Sequence, residues 1–291
     1  MLQGAITAIV TPFDEKGKIE EKALRKLVNF QVENGISGIV PCGTTGESPT
    51  LNYEEHNRVI DIVINEARER VPIIAGTGSN STDEAILLTQ HALQAGAYSS
   101  LQVAPYYNKP TQKGLYAHFI AIAEAVDFPM IIYNIPGRTG VNIETDTLLR
   151  MAEHKNIVGV KEASGSISQM MDVLSRRPKG FAVLSGDDNL TLPLMALGGD
   201  GVISVASNIL PRQVSEMVQF ALQGKWGEAR EHHYRLLPLF KALFIETNPI
   251  PVKTALAMQG MIKEIFRSPL CTMEPTNREK LKAVLESQKI L

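Results

Sequence analysis

The sequence predicts an α/β chain folded as a (β/α)8 TIM barrel with a C-terminal helical region. Three observations carry that prediction. Eight short apolar runs of strand length recur between residues 4 and 205. Segments with a helical hydrophobic period separate them. Residues 225–291 hold helical periods and no further strand pattern. Alternating strands and helices require parallel strands, and eight repeats favour a closed barrel over an open sheet. The expected division is a barrel over 1–224 and helices over 225–291.

The first run, Gly4 to Val10, ends in Thr11-Pro12-Phe13. Leu24, Leu27, Val28 and Val32 then share a helix face, with Gly35 as the stop. The second run, Ser37 to Val40, leads into Gly43-Thr44-Thr45-Gly46-Glu47, and its helix carries Val59, Ile62, Val63 and Ala67. The third, Pro72 to Ala75, precedes Ser81-Thr82-Asp83-Glu84, whose spacing predicts a capping box, and its helix stops near Gly96. The fourth is Ser99 to Ala104, followed by Pro105-Tyr106-Tyr107-Asn108; the fifth is Met130 to Tyr133, followed by Asn134 through Gly140. The sixth is Ile157-Val158-Gly159-Val160-Lys161, the seventh Phe181 to Leu184, and the eighth Val202 to Val205. Leu197-Gly198-Gly199-Asp200-Gly201 precedes the eighth run and is read as a turn. The last barrel helix is expected to end near Gln223-Gly224, with further helices over Trp226 to Phe244, Pro251 to Met261 and Asn277 to Gln288.

Composition narrows the function. At 291 residues and 44% hydrophobic, the chain has apolar material for one large core. A net charge of −2 with no basic run argues against a nucleic-acid partner. No apolar stretch reaches membrane-spanning length, and the N-terminus lacks a signal-peptide pattern, so a cytoplasmic enzyme is expected. Cys42 and Cys271 form no CxxC, the histidines show no HExxH spacing, and Gly76-Thr77-Gly78 lacks the third glycine of a dinucleotide loop. No metal or organic cofactor is expected. His232-His233 is read as solvated.

In such a barrel the reacting groups come from the C-terminal ends of the strands and the loops after them. That rim collects Thr44, Thr45, Tyr106, Tyr107, Tyr133, Arg138, Lys161, Gly186 and Ile203. A lysine delivered there by a buried strand loses its charge readily, because desolvation disfavours the ammonium. Its free amine can attack a ketone and form a Schiff base. Tyrosine is a slow base alone, but a hydroxyl chain with Thr44 and a second tyrosine can relay protons. The glycine-flanked turn Gly43 to Gly46 can aim N–H groups at one carboxylate, and Arg138 can grip another. Two anion sites around one amine suggest two acidic substrates. Each residue also has a plainer use. Lys161 can pair with Glu162, Tyr133 can be core, Tyr106-Tyr107 can be packing, and Arg138 can bind helix C-terminal carbonyls.

Taken together, Gly43-Thr44-Thr45-Gly46-Glu47, Tyr133 through Gly140, Gly159-Val160-Lys161-Glu162-Ala163, Ser185-Gly186-Asp187-Asp188 and Asn248-Pro249-Ile250-Pro251-Val252-Lys253 resemble the dihydrodipicolinate synthase / N-acetylneuraminate lyase family of class I, Schiff-base aldolases. The resemblance spans essentially the whole chain. The Thr-Thr form of the first motif, Arg138 and the Asn-Pro-Ile-Pro-Val-Lys segment are similar to the condensing members. Sibling lyases acting on sugar acids typically carry Ser-Thr and lack the arginine. Such a pyruvate lyase is the alternative enzyme, and a noncatalytic barrel the alternative from another class.

The resemblance implies that pyruvate condenses with Lys161 and that its enamine attacks L-aspartate 4-semialdehyde, a step toward lysine and diaminopimelate. It implies a proton relay of Tyr133, Thr44 and Tyr107, with Tyr107 crossing from a neighbouring subunit. Thr45 is implied to bind the pyruvate carboxylate and Arg138 the semialdehyde carboxylate, with Gly186 and the Ile203 carbonyl close to the lysine. A homotetramer, a dimer of dimers, is also implied. Many members are inhibited by lysine at the dimer seam, where the matching positions are Ser48, His56, Asn80, Glu84 and Tyr106; Pro49 and Tyr53 depart from the pattern.

Overall fold

The computed structural model describes residues 2–291. Eight parallel strands follow one another: β1 (Gly4–Ala8), β2 (Gly38–Val40), β3 (Ile74–Gly76), β4 (Ser99–Val103), β5 (Met130–Asn134), β6 (Ile157–Glu162), β7 (Ala182–Ser185) and β8 (Gly201–Ser204). Their order is β2-β1-β8-β7-β6-β5-β4-β3. The two ends of that series meet through the parallel bridge Ile39↔Ile73 and the bond from the Gly76 N–H to the Pro41 carbonyl, so the sheet closes as a barrel. All eight strands fall on the predicted apolar runs.

The helices between them are α1 (Glu21–Glu33), α2 (Tyr53–Ala67), α3 (Thr82–Gln94), α4 (Gln112–Ala125), the short α5 (Pro136–Thr139) and α6 (Thr145–Met151), α7 (Ile167–Arg176), α8 (Thr191–Ala196) and α9 (Pro211–Leu222). Three more follow: α10 (Trp226–Ala242), α11 (Ile250–Met258) and α12 (Pro275–Ser287). Val59, Ile62, Val63 and Ala67 line the buried face of α2, as their period requires.

Because side chains alternate along a strand, one set points into the barrel and the other under the helices. Ile6, Ala8, Val40, Ile74, Leu101, Ile131, Tyr133, Ala182, Leu184 and Ile203 form the inner cluster. Tyr133 and Lys161 are direct neighbours in the β5–β6 register. That alignment depends on an irregularity. Met130 pairs with Ile157 but Ile131 pairs with Gly159, so β6 accommodates one extra residue, Val158. Without this bulge the lysine would be one residue out of phase with Tyr133 and would project to the opposite face.

Two local expectations are corrected. Ser81 caps α3 by accepting from the Glu84 N–H at 3.5 Å, but the Glu84 carboxylate does not return to Ser81. It accepts instead from the Ser79 hydroxyl at 2.7 Å. The reciprocal capping box is at α2, between Asn52 and Glu55. His233 is not solvated: it packs 5.9 Å from the Phe240 ring, and burial lowers its pKa.

Candidate active site

Lys161 lies at the C-terminal end of β6 with only 6% of its surface exposed. Its Nζ sits 4.1 Å from the centre of the Tyr133 ring. Burial removes water that would solvate an ammonium, and the nearby Arg138 adds repulsion; Asp187 and Asp188 oppose both. The net result is an amine pKa lowered to about 8. Glu162 does not pair with it. That carboxylate accepts from the Ser164 N–H at 2.6 Å and from the Asn134 amide at 3.3 Å.

Tyr133 is equally enclosed. Burial raises its phenol pKa, while Arg138 and the nearby Thr44 hydroxyl pull the other way. Tyr133 and Thr44 line the same cleft within one chain. Gly186 sets the space beside the amine. A Cβ at that position would lie 3.2 Å from Lys161 Cε and 2.6 Å from the Ala163 Cβ. The Ile203 side chain belongs to the inner core, on β8.

Thr44, Thr45, Tyr133, Arg138, Lys161 and Gly186 line one cleft, so the structure brings these sequence-predicted residues together. Two further residues of that cleft, Asp187 and Asn248, had no role assigned from sequence although both lie inside the motifs that carried the resemblance. Asp187 is the largest favourable charge felt by the Lys161 amine. The Asn248 amide donates to Thr45 Oγ1 at 3.0 Å, and its backbone carbonyl accepts from Arg138 at 3.0 Å. Asn248 lies more than a hundred residues from either partner, a separation no sequence period reports. Arg138 thus does hold a backbone carbonyl, but it spends one N–H doing so and its guanidinium still faces the cleft.

Tyr107 is not brought to this cleft. It is 89% exposed, on a left-handed backbone with φ 71°. Beside the cleft, and sharing Thr44, Tyr133 and Arg138 with it, is a cavity of about 510 Å³. Ser48, Tyr53, His56, Glu84 and Tyr106 line it. Asn80 touches its wall by donating to the Tyr106 carbonyl at 3.2 Å. The His56 Nε2 hydrogen-bonds the Gly76 carbonyl at 2.8 Å, and burial lowers the ring pKa to about 4. The neutral ring leaves Nδ1 buried as an unpartnered acceptor. Glu84 accepts from the Ser79 hydroxyl, and the Tyr53 and Ser79 hydroxyls beside it lower its pKa.

The model of the dihydrodipicolinate synthetase family matches residues 1–288. The chain belongs to that family. It is 59% identical over 287 residues to the 4-hydroxy-tetrahydrodipicolinate synthase of Syntrophus aciditrophicus, covering 99% of this chain and 98% of the relative. The crystal structure of dihydrodipicolinate synthase from Aquifex aeolicus superposes with a TM-score of 0.98 at 52% identity, covering 99% of each chain. A chloride-inhibited dihydrodipicolinate synthase from Acinetobacter baumannii, solved in complex with pyruvate, superposes with a TM-score of 0.98 at 47% identity over 100% of each chain. Relatives this similar over their full length share the barrel and its C-terminal helices. Among the described residues, no helix is long and apolar enough to cross a membrane.

Proposed function

We propose that the chain condenses pyruvate with L-aspartate 4-semialdehyde to give 4-hydroxy-tetrahydrodipicolinate, in lysine and diaminopimelate biosynthesis. The observation that carries this is the Lys161 amine, enclosed beside Tyr133 with its pKa lowered to about 8. At pH 7 that leaves roughly one amine in ten neutral, against about one in 3,000 at its unperturbed value. The neutral amine attacks C2 of pyruvate, and the carbinolamine loses water to form the iminium. Tyr133 and Thr44 carry the proton to and from the departing oxygen. Loss of a proton from C3 gives the enamine, whose carbon attacks the aldehyde of the second substrate. That substrate's amino group then closes the ring at C2 and expels Lys161, so one water leaves per turnover.

Thr45 and the N–H groups of its turn hold the keto-acid carboxylate, and Arg138 holds that of the semialdehyde. A guanidinium facing the cleft favours a second carboxylate over the hydroxyls of a sugar acid. Gly186 and the Ile203 carbonyl border the lysine. Tyr107, exposed in one chain, completes the relay of a neighbouring subunit in a homotetramer. The barrel over 1–224 and the helices over 225–291 form the two parts of a cytoplasmic enzyme. L-lysine binds at the seam of Ser48, His56, Asn80, Glu84 and Tyr106, where His56 Nδ1 and Glu84 accept from its ammonium.

Borohydride reduction in the presence of pyruvate, followed by peptide mapping, tests the first step. A pyruvyl adduct on Lys161 is expected, and its absence would refute the Schiff base. A coupled assay with the semialdehyde tests the second substrate; turnover of a sugar acid in its place would overturn the specificity.

A further inference from the structure

The turn that carries Thr44 and Thr45 is bracketed by two side-chain-bearing residues in the left-handed region, Cys42 at φ 56° and Glu47 at φ 54°. Neither is a glycine, so the turn is held in a conformation its own backbone disfavours. Inside it, the Gly46 and Glu47 N–H groups return to the Gly43 and Thr44 carbonyls, and the Gly46 carbonyl accepts from the Thr11 hydroxyl at 2.7 Å. Those bonds leave the Thr44 and Thr45 N–H groups unused by the turn.

What anchors the far end of the turn comes from the C-terminal helices. The Glu47 carboxylate is fully buried and accepts from the Lys253 amine, itself fully buried on α11. Its second oxygen accepts from the Arg267 N–H at 3.2 Å. The Lys253 amine also lies 4.4 Å from the Phe13 ring centre and 5.1 Å from that of Phe266. Five residues before it in the chain, Asn248 donates to Thr45 Oγ1. Thus three residues beyond the barrel grip one short barrel loop.

We propose that the buried Glu47–Lys253 pair is a positioning device for the keto-acid site, fixing the Thr44–Thr45 turn so that its N–H groups and the Thr45 hydroxyl converge on a carboxylate. This rests on the proposed role of Thr45. A buried ion pair is a poor stabilising device, because desolvating two charges offsets their attraction, and removing both together is often neutral or stabilising. Its retention beside a strained loop of the cleft has a use if it holds that loop in place.

The two roles separate in the doubly neutral variant Glu47→Gln/Lys253→Met, which leaves no unpaired charge and keeps an acceptor for the Arg267 N–H. If the pair positions the turn, the midpoint of thermal unfolding stays near that of the unmodified enzyme while the pyruvate KM rises about tenfold or more. Borohydride trapping on Lys161 at sub-saturating pyruvate falls in step, and the semialdehyde KM changes little. An unchanged pyruvate KM overturns the proposal, as does a fall in kcat and unfolding midpoint with KM unchanged. Should the double variant fail to fold, Glu47→Asp, which keeps the charge paired and shortens its arm, is read by the same pyruvate KM and the same outcomes. Absence of a Lys161 adduct in the unmodified enzyme would instead refute the underlying chemistry.

Discussion

Replacing Lys161 by methionine should make the protein more stable while abolishing its reaction. The amine is enclosed with its pKa lowered from 10.5 to about 8, and burial is the first cause. In the unfolded chain the same amine titrates near 10.5, so below that pH the unfolded state binds more protons than the folded one. Stability therefore rises with pH between about 8 and 10.5, and the charged lysine opposes folding below that window. The full opposition is the 2.5-unit difference at 1.36 kcal/mol per unit, about 3 kcal/mol. Methionine has a similar length, carries no charge, and can keep its contact with the Tyr133 ring. Denaturant unfolding of the two proteins at pH 7 should show the variant more stable by about 1–3 kcal/mol, the attraction of Asp187 and Asp188 being already contained in the net shift. The gain should shrink as pH rises from 8 toward 10.5. A variant no more stable at pH 7, or a gain that grows with pH, would refute the claim that the amine is held against its preferred charge state.

The other expectations concern the same cleft and its neighbour. Gly186→Ala puts a Cβ 2.6 Å from that of Ala163 and 3.2 Å from Lys161 Cε, so something must move by most of an ångström; steady-state assays should show kcat/KM down about a hundredfold, and an unchanged value would show that the amine's position is not critical. Asp187→Asn removes the largest charge that raises the amine pKa, so the acid limb of the pH–rate profile should move to lower pH; a limb moving to higher pH would contradict the assignment. Arg138→Leu should raise the semialdehyde KM by about tenfold or more while Lys161 is still trapped by pyruvate and borohydride; a variant that loses trapping but keeps the semialdehyde KM would reverse the two anion sites. L-lysine on the order of millimolar should slow turnover, and Ser79→Ala, which frees Glu84 from a hydroxyl donor, should lower the concentration required. An unchanged rate with lysine would remove the seam as a regulatory site.

The barrel and its chemical centre were legible in the order of residues because both rest on local signals. Strand runs such as Met130 to Tyr133 are written as short continuous apolar stretches and helix faces such as Val59 to Ala67 in a period of 3.6 residues, because a barrel strand is buried on both faces and a helix on one. A lysine at a strand's end, a glycine-flanked Thr-Thr turn and an arginine in the next loop but two could likewise be gathered by the rule that barrel sites use strand ends. Failures came where one segment's state depends on another far away. Glu84 was expected to close a capping box with Ser81, but its carboxylate takes the Ser79 hydroxyl in the preceding loop instead. His233 looked polar in sequence yet turns toward Phe240.

Thus the alternation of short apolar runs with helix-period segments was enough to specify eight strands, their helices and the presence of an amine at the rim. Whether that amine faces Tyr133 was settled by a one-residue bulge at Val158, which no local pattern announces. The clasp of Asn248 on Thr45 and Arg138 is likewise a product of folding. Periodicity encodes which face of a segment is buried. The lowered charge of Lys161 and the grip on its neighbours come from groups brought together only when distant segments share the same dry space.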